Sequence, residues 1–263
     1  MGRLNGKTVV ITGASSGIGE KVAYYAAEQG ATPVLVARSY NNLVKIADTI
    51  KERYNITCFT YQLDVSNVPA VKEVFSQIYS ECKVVDVLVN NAGFGVFDNV
   101  VDADLGKMKT MFEVNVFGLV ACTKMVLPQM IENGAGHIIN IASQAGKIAT
   151  PKSSVYSATK HAVLGFTNSL RLELSDSDVF VTSVNPGPIR TRFFDIADES
   201  GSYVKNVEKF MLDPDYVARR IVNTMLVRKR EINLPGWMNM GSVFYQLFPT
   251  LVEKVGGKAI FKK

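Results

Sequence analysis

The chain has 263 residues, 47% of them hydrophobic and 20% charged, which describes an ordinary globular protein with material for one large core. Its 29 Lys and Arg against 24 Asp and Glu give a net charge of +5, spread along the chain without a basic block. That argues against nucleic acid and suits an anionic cofactor or a membrane surface.

Cys58, Cys82 and Cys122 form neither a Cys-x-x-Cys pair nor a zinc pattern and read as reduced packing residues, so no metal site is expected. The opening Met-Gly-Arg-Leu-Asn-Gly-Lys runs into an apolar strand pattern without the order of a signal peptide, and no apolar run reaches transmembrane length. A cytoplasmic protein is the expectation.

In chain order, Lys7 to Thr12 reads as a buried strand and Gly17 to Gln29 as a helix closed by Gly30. A strand at Thr32–Ala37, a helix from Ser39 to Tyr54, a strand over Thr57–Leu63 and a helix over Val68–Ser80 follow. Next come a strand at Val84–Asn90, a long helix over Asp104–Glu132 and a strand at His137–Ala142. A helix starting near Ser153 or Ser154 runs to Leu174, before a strand at Val179–Val184. Strands apolar on both faces, alternating strictly with helices, predict a doubly wound α/β domain with a parallel sheet of about seven strands covered on both sides. Residues 185–212, rich in turn formers, charge and aromatics, read as a substrate lid. Asp213-Pro214 then caps a helix to about Val227, Glu231–Leu234 is a last short strand, and 236–263 is a tail of the same single domain.

Three features carry chemistry. Thr12-Gly13-Ala14-Ser15-Ser16-Gly17-Ile18-Gly19 lies between a strand and a helix, where its glycines allow a tight turn and close approach to a pyrophosphate at the positive helix end. The second strand ends Val36-Ala37-Arg38-Ser39, with no acid to bind ribose hydroxyls; a guanidinium there favours the 2′-phosphate of NADP over NAD. A solvated Arg at a strand end is the plainer alternative. Tyr156 and Lys160 stand four apart on one helix face, where an ammonium would lower the phenol's pKa and let it trade protons near neutral pH. Alone, such a spacing is usually only an amphipathic pair.

Together these residues resemble the classical short-chain dehydrogenase/reductase family of NADP-preferring type, nearly over the whole chain to Leu234. The resemblance rests on the glycine turn, on Asn90-Asn91-Ala92-Gly93, on Asn115, Ser143 and the Tyr156/Lys160 pair, and on Pro186-Gly187. It implies a Rossmann sheet and an NADPH-dependent oxidoreductase, a carbonyl reductase in direction. Tyr156 would be the general acid, Ser143 would hold the carbonyl oxygen, and Lys160 would lower the Tyr156 pKa and bind the nicotinamide ribose. Asn115 would hold a water for proton supply. Gly13, Ser15, Ser16, Gly17, Ile18 and Gly19 would surround the pyrophosphate, with Arg38 and Ser39 at the 2′-phosphate and Asp64 and Val65 beside adenine. Asn91, Ala92 and Gly93 would run along the ribose, and Pro186, Gly187, Ile189 and Thr191 would line the nicotinamide end. Asp64 reads equally well as a loop acid capping the following helix. His137 and His161 read as structural.

Phe94–Phe97, Gln144–Lys152 and Phe193–Phe210 are the stretches expected around the substrate, and their aromatics suggest an apolar ketone or aldehyde. Leu234-Pro235-Gly236-Trp237 stands where relatives reducing acyl-carrier-protein thioesters carry Asp-Gly-Gly, which lowers the weight of a 3-oxoacyl-thioester reductase. A catalytically silent NADP-binding redox sensor is the other alternative, although the Ser, Tyr and Lys are all present. The resemblance also implies a homodimer or homotetramer. In the tail, Phe244, Leu247, Phe248, Leu251 and Val252 with Lys254, Lys258, Lys262 and Lys263 fit an amphipathic helix kinked by Pro249. It would lie on a membrane surface or, as such helices more often do, pack on its own domain or a partner subunit.

Overall fold

Along β1 (Thr8–Thr12), Val9 and Ile11 face one side of the sheet and Val10 the other, since successive strand side chains alternate; all three are fully buried. The same split holds for Leu35 against Val34 and Val36 in β2 (Thr32–Ala37), and for Val87 and Val89 against Leu88 in β4 (Val87–Asn90). A sheet of this kind must be covered twice. On one face lie α1 (Gly17–Glu28), α2 (Tyr40–Tyr54) and α9 (Pro214–Val222); on the other lie α3 (Val68–Cys82), α5 (Leu119–Glu132) and α6 (Ser154–Glu173).

The computed structural model describes residues 2–198 and 201–260, with side chains described through Lys254. Among the described residues seven strands pair in the order 3-2-1-4-5-6-7, all parallel, with β3 (Phe59–Gln62), β5 (Gly136–Ile141), β6 (Val179–Pro186) and β7 (Glu231–Leu234) completing the sheet. The chain winds from β1 outward to β3 and then returns to β4 on the other side of β1. A crevice therefore opens at the carboxyl ends of β1 and β4, the switch point at which doubly wound sheets bind ligands.

Several expected boundaries move. β3 and β4 are shorter than their apolar runs, and β6 continues to Pro186 because Asn185 and Pro186 pair with Asn233 and Leu234. Helix α9 stops at Val222 instead of about Val227, the chain turning until Leu226 takes a positive φ of 57°. The long helix forms as α4 (Leu105–Phe112), a π-helical turn (Glu113–Gly118) and α5. At 28 residues, Leu105–Glu132 is long and apolar enough to cross a membrane by length and composition, against the sequence expectation. Its apolarity has a local cause: Met111, Leu119, Cys122, Val126 and Met130 are buried in the fold.

The expected lid is more regular than a loop. After β6 it forms the short helices α7 (Phe193–Ala197) and α8 (Ser202–Val207) and a 3-10 turn (Glu208–Phe210), and Ile189 bridges Leu212; its residues 199 and 200 lie outside the described residues. The tail is two helices, α10 (Gly236–Leu247) and α11 (Pro249–Ile260), broken where Pro249 was expected to kink one. Of the tail lysines, Lys262 and Lys263 lie outside the described residues, as does the Lys258 side chain.

Candidate active site

The crevice is a cleft of about 940 Å³ that runs from the turn after β1 to α10. At its first end the turn is held by two side chains. Thr12 Oγ1 accepts from the Asn91 and Ala92 N–H groups, each at 3.1 Å, and Asn91 Nδ2 donates to the Thr12 and Gly13 carbonyls at 3.0 and 3.1 Å. Asn91 is thus a brace between β1 and β4 as well as a cleft residue. Gly13 adopts φ +64°, and a Cβ there would stand 2.8 Å from Ala92 Cα; one on Gly19 would stand 2.5 Å from the Gly13 carbonyl. The glycines therefore bring α1 hard against the strand end, its N-terminus facing the cleft, and Ser16 at the N-cap makes no side-chain cap bond. An anionic pyrophosphate fits this cradle of backbone N–H groups.

Arg38 and Ser39, at the end of β2, and Asp64 and Val65, after β3, line the same end. Arg38 is 73% exposed and reaches Asp64 Oδ2 only at 3.9 Å, an ion pair of small worth. Its guanidinium is therefore available to a phosphate. Asp64 does not cap α3: Asn67 does, accepting from Ala70 N–H, while Asp64 Oδ1 accepts from the Ser66 N–H and hydroxyl at 3.0 and 2.7 Å.

In the middle of the cleft, α6 begins at Ser154 and carries Tyr156 and Lys160 into the buried side of the helix. The expected lowering of the Tyr156 pKa is not what this arrangement produces. Burial raises the phenol above its ordinary value, with a hydrogen bond from Ser143 acting the other way, and burial pushes the Lys160 ammonium down to about 8. Lys160 Nζ donates to the Ile141 carbonyl at 2.9 Å and lies 5.8 Å from the Tyr156 ring centre. Tyr156 is accordingly a fully protonated acid at neutral pH. Ser143 follows β5, its Oγ accepting from Ala145 N–H at 3.0 Å, and heads the 3-10 turn Gln144–Gly146.

Asn115 and Gly19 are the predicted site residues that do not line the cleft. Asn115 sits in the π-helical turn and bonds away from its own helix: Oδ1 accepts from Phe94 N–H at 3.0 Å, and Nδ2 donates to the Phe94 carbonyl and Thr159 Oγ1 at 2.8 and 3.1 Å. A Cβ on Gly93 would meet Asn115 Oδ1 at 3.0 Å and Lys160 Nζ at 3.7 Å, so Asn115 stands close to Lys160 just outside the cleft lining.

The far end is aromatic. Phe97 packs edge-on to Tyr156 and Tyr203 with ring centres 5.7 and 5.2 Å apart, and Phe193 lies 5.6 Å from Tyr156. Pro186, Gly187, Ile189 and Thr191 line the same cleft, and Thr191 Cγ2 would stand 3.4 Å from a Cβ on Gly17. Sequence reasoning missed how the tail closes the site: Trp237, Met238, Gly241 and Tyr245 of α10 and Val252 of α11 form a wall of the cleft. A Cβ on Gly187 would stand 2.7 Å from Met238 Sδ, which shows how closely α10 approaches. Lys147 holds it there, donating to Glu231 Oε2 at 2.6 Å, Asn233 Oδ1 at 3.0 Å and Asn239 Oδ1 at 3.2 Å. Burial pushes the Glu231 carboxyl up, but the Lys147 and Asn233 hydrogen bonds and the neighbouring positive charges bring it below its ordinary value. The Lys147-to-Glu231 spacing gave no sequence signal, because the contact joins β7 to a turn 84 residues earlier.

Residues 7–200 match the model of the family described as short chain dehydrogenase. An NADP-dependent 3-hydroxy acid dehydrogenase of Schizosaccharomyces pombe is 34% identical over 239 residues, 88% of this chain and 92% of that protein. The dehydrogenase/reductase SDR family member 7B of Xenopus laevis is 36% identical over 263 residues, covering 94% of this chain and 80% of that one. Among solved structures, the alcohol dehydrogenase of the archaeon Thermococcus sibiricus complexed with 5-hydroxy-NADP has a TM-score of 0.78 at 30% identity, covering 87% of this chain and 95% of that one.

Proposed function

Because the chain belongs to the short-chain dehydrogenase family, we propose that it is an NADP-dependent oxidoreductase that reduces an apolar ketone or aldehyde to the alcohol. One observation carries the reading: a buried, protonated Tyr156, hydrogen-bonded by Ser143 and packed against Phe97 and Phe193, shares one cleft with the glycine turn. NADPH, when bound, supplies the hydride that adds to the carbonyl carbon. The chain's own residues orient the carbonyl and manage the proton.

Ser143 Oγ donates to the carbonyl oxygen and fixes it beside the phenol. Tyr156 then gives its O–H proton to that oxygen as the carbonyl carbon is reduced, leaving a phenolate that the Lys160 ammonium stabilises. Lys160 and Asn115 serve the return of a proton from solvent. The glycine turn takes the pyrophosphate, Arg38 and Ser39 take the 2′-phosphate, and Asp64 and Val65 flank the adenine. Asn91, Ala92 and Gly93 line the ribose side, with Pro186, Gly187, Ile189 and Thr191 at the nicotinamide. Phe97, Phe193 and Tyr203 form an apolar wall that excludes water and favours a hydrophobic substrate. Phe117 on the π-helical turn and Leu172 on α6 are exposed apolar residues suited to pairing with a second copy.

The yeast relative's name brings a second reading, a 3-hydroxy acid or the corresponding β-keto compound as substrate. NADPH oxidation against ketones, aldehydes, β-keto acids and β-keto thioesters, with NADH in parallel, separates the two. Turnover of apolar carbonyls with NADPH preferred is the expected result. Tight NADPH binding with no turnover of any class would contradict the reductase and favour a silent redox sensor.

A further inference from the structure

Helix α10 is apolar on two sides, and only one of them is used. Met238, Gly241 and Tyr245 recur at helical spacing on the side that walls the cleft. Met240, Val243, Phe244 and Leu247 recur on another side, and with Trp237 at the boundary they are between 47% and 73% exposed. A surface helix ordinarily turns polar residues to solvent, whereas here the outward stripe continues into exposed Phe248 and Leu251. We infer that this outer face of α10, continued by the start of α11, docks on an anionic lipid surface and sets the mouth of the cleft against the bilayer.

Charge selects the occupant. Residues 236–263 contain four lysines, Lys254, Lys258, Lys262 and Lys263, against one acid, Glu253, whose carboxylate accepts from the Tyr245 hydroxyl at 3.2 Å. A second copy meeting this patch about a two-fold axis would bring two such lysine-rich segments together. An anionic surface attracts both the lysines and the apolar stripe. Trp237 supports the same choice: its ring lies 6.0 Å from that of exposed Phe210, both line the cleft, and Phe210 directly follows exposed Lys209. Indole rings settle where apolar chains meet water. The docking stands whether or not the cleft is catalytic, because it is read by partition and not by turnover.

The test is co-sedimentation of the full chain with vesicles of phosphatidylcholine alone and of equal parts phosphatidylcholine and phosphatidylglycerol, alongside Leu247→Glu and Lys254→Glu. Leu247 is 67% exposed, so its replacement leaves the core untouched, and unchanged NADPH affinity in both variants confirms the fold. The chain is expected to sediment with the anionic vesicles, Leu247→Glu to partition about tenfold less or weaker still, and Lys254→Glu to lose a smaller share that raised salt also removes. Three results would each overturn the inference: no sedimentation with either vesicle, sedimentation that Leu247→Glu leaves unchanged, or a halved solution mass for Leu247→Glu without any vesicle binding, which would assign the face to a second copy.

Discussion

At the β1–β4 end of the cleft the surface is backbone. Thr12 and Asn91 fix the glycine turn through hydrogen bonds to main-chain groups, and Gly13 and Gly19 matter for the side chains they lack. At the α10 end the surface is side chain: Phe97 packs on Phe193 and Tyr203, Trp237 and Tyr245 of α10 line the same cleft, and Lys147 ties β7 and α10 to the turn after β5. The difference is one of permitted change. A backbone cradle accepts few residues at each position and so recognises one cofactor chemistry, while a wall of rings can be resized residue by residue to fit another substrate.

Breaking the second end should spare the first. Lys147→Met leaves Glu231 partly buried without its cation, and should cost about 3 kcal/mol of stability, read by thermal or denaturant unfolding. Because Lys147 ties the Ser143 turn to β7 and α10, the same variant should raise the KM for the carbonyl substrate while NADPH affinity stays within about twofold. An equal loss of cofactor affinity would show that the two ends are not separable. Breaking the first end should spare the second. Arg38→Asp should weaken NADPH against NADH by about 2 kcal/mol, roughly 30-fold, with the ranking of carbonyl substrates unchanged. Equal weakening of both cofactors would remove Arg38 from 2′-phosphate recognition.

The smallest effect per step lies beneath both ends. His137 in β5 accepts from Leu226 N–H at Nδ1 at 2.9 Å, so Nε2 carries the proton toward Thr182 Oγ1 at 2.8 Å, and Thr182 in turn donates to the Lys229 carbonyl. Burial pushes this imidazole from 6.5 down to about 3. Between those values the unfolded chain binds a proton that the folded chain refuses, so stability is full above about 6.5 and falls with acidification by about 1.4 kcal/mol per pH unit. Denaturant midpoints from pH 7 to pH 5 should show the slope and His137→Asn should flatten it, with cofactor discrimination unaffected in either protein.

Much of the molecule was legible because local chemistry dictates it. Strands buried on both faces gave seven parallel strands, and a glycine turn between strand and helix placed the crevice. The parts that were not legible depend on distant partners. Val84 belongs to an apolar run yet lies outside β4, since a strand ends where its neighbour ceases to pair. The Tyr156–Lys160 spacing was read correctly, but the direction of the phenol's pKa was not: spacing reveals the ammonium, whereas burial, to which Phe97 and Phe193 contribute from far away in sequence, raises the phenol against the lowering hydrogen bond from Ser143. The tail's apolar residues were visible, yet only the fold shows that one side of α10 walls the cleft.

In the proposed reaction Tyr156 supplies the proton and little of the cofactor's hold. Comparing NADPH affinity by fluorescence with NADPH-dependent turnover in the chain and in Tyr156→Phe tests it most directly, because phenylalanine keeps the ring that packs on Phe97 and Phe193 and removes only the hydroxyl. NADPH affinity within about twofold and turnover reduced by at least about a hundredfold are expected. Turnover that survives the substitution would contradict that role for Tyr156.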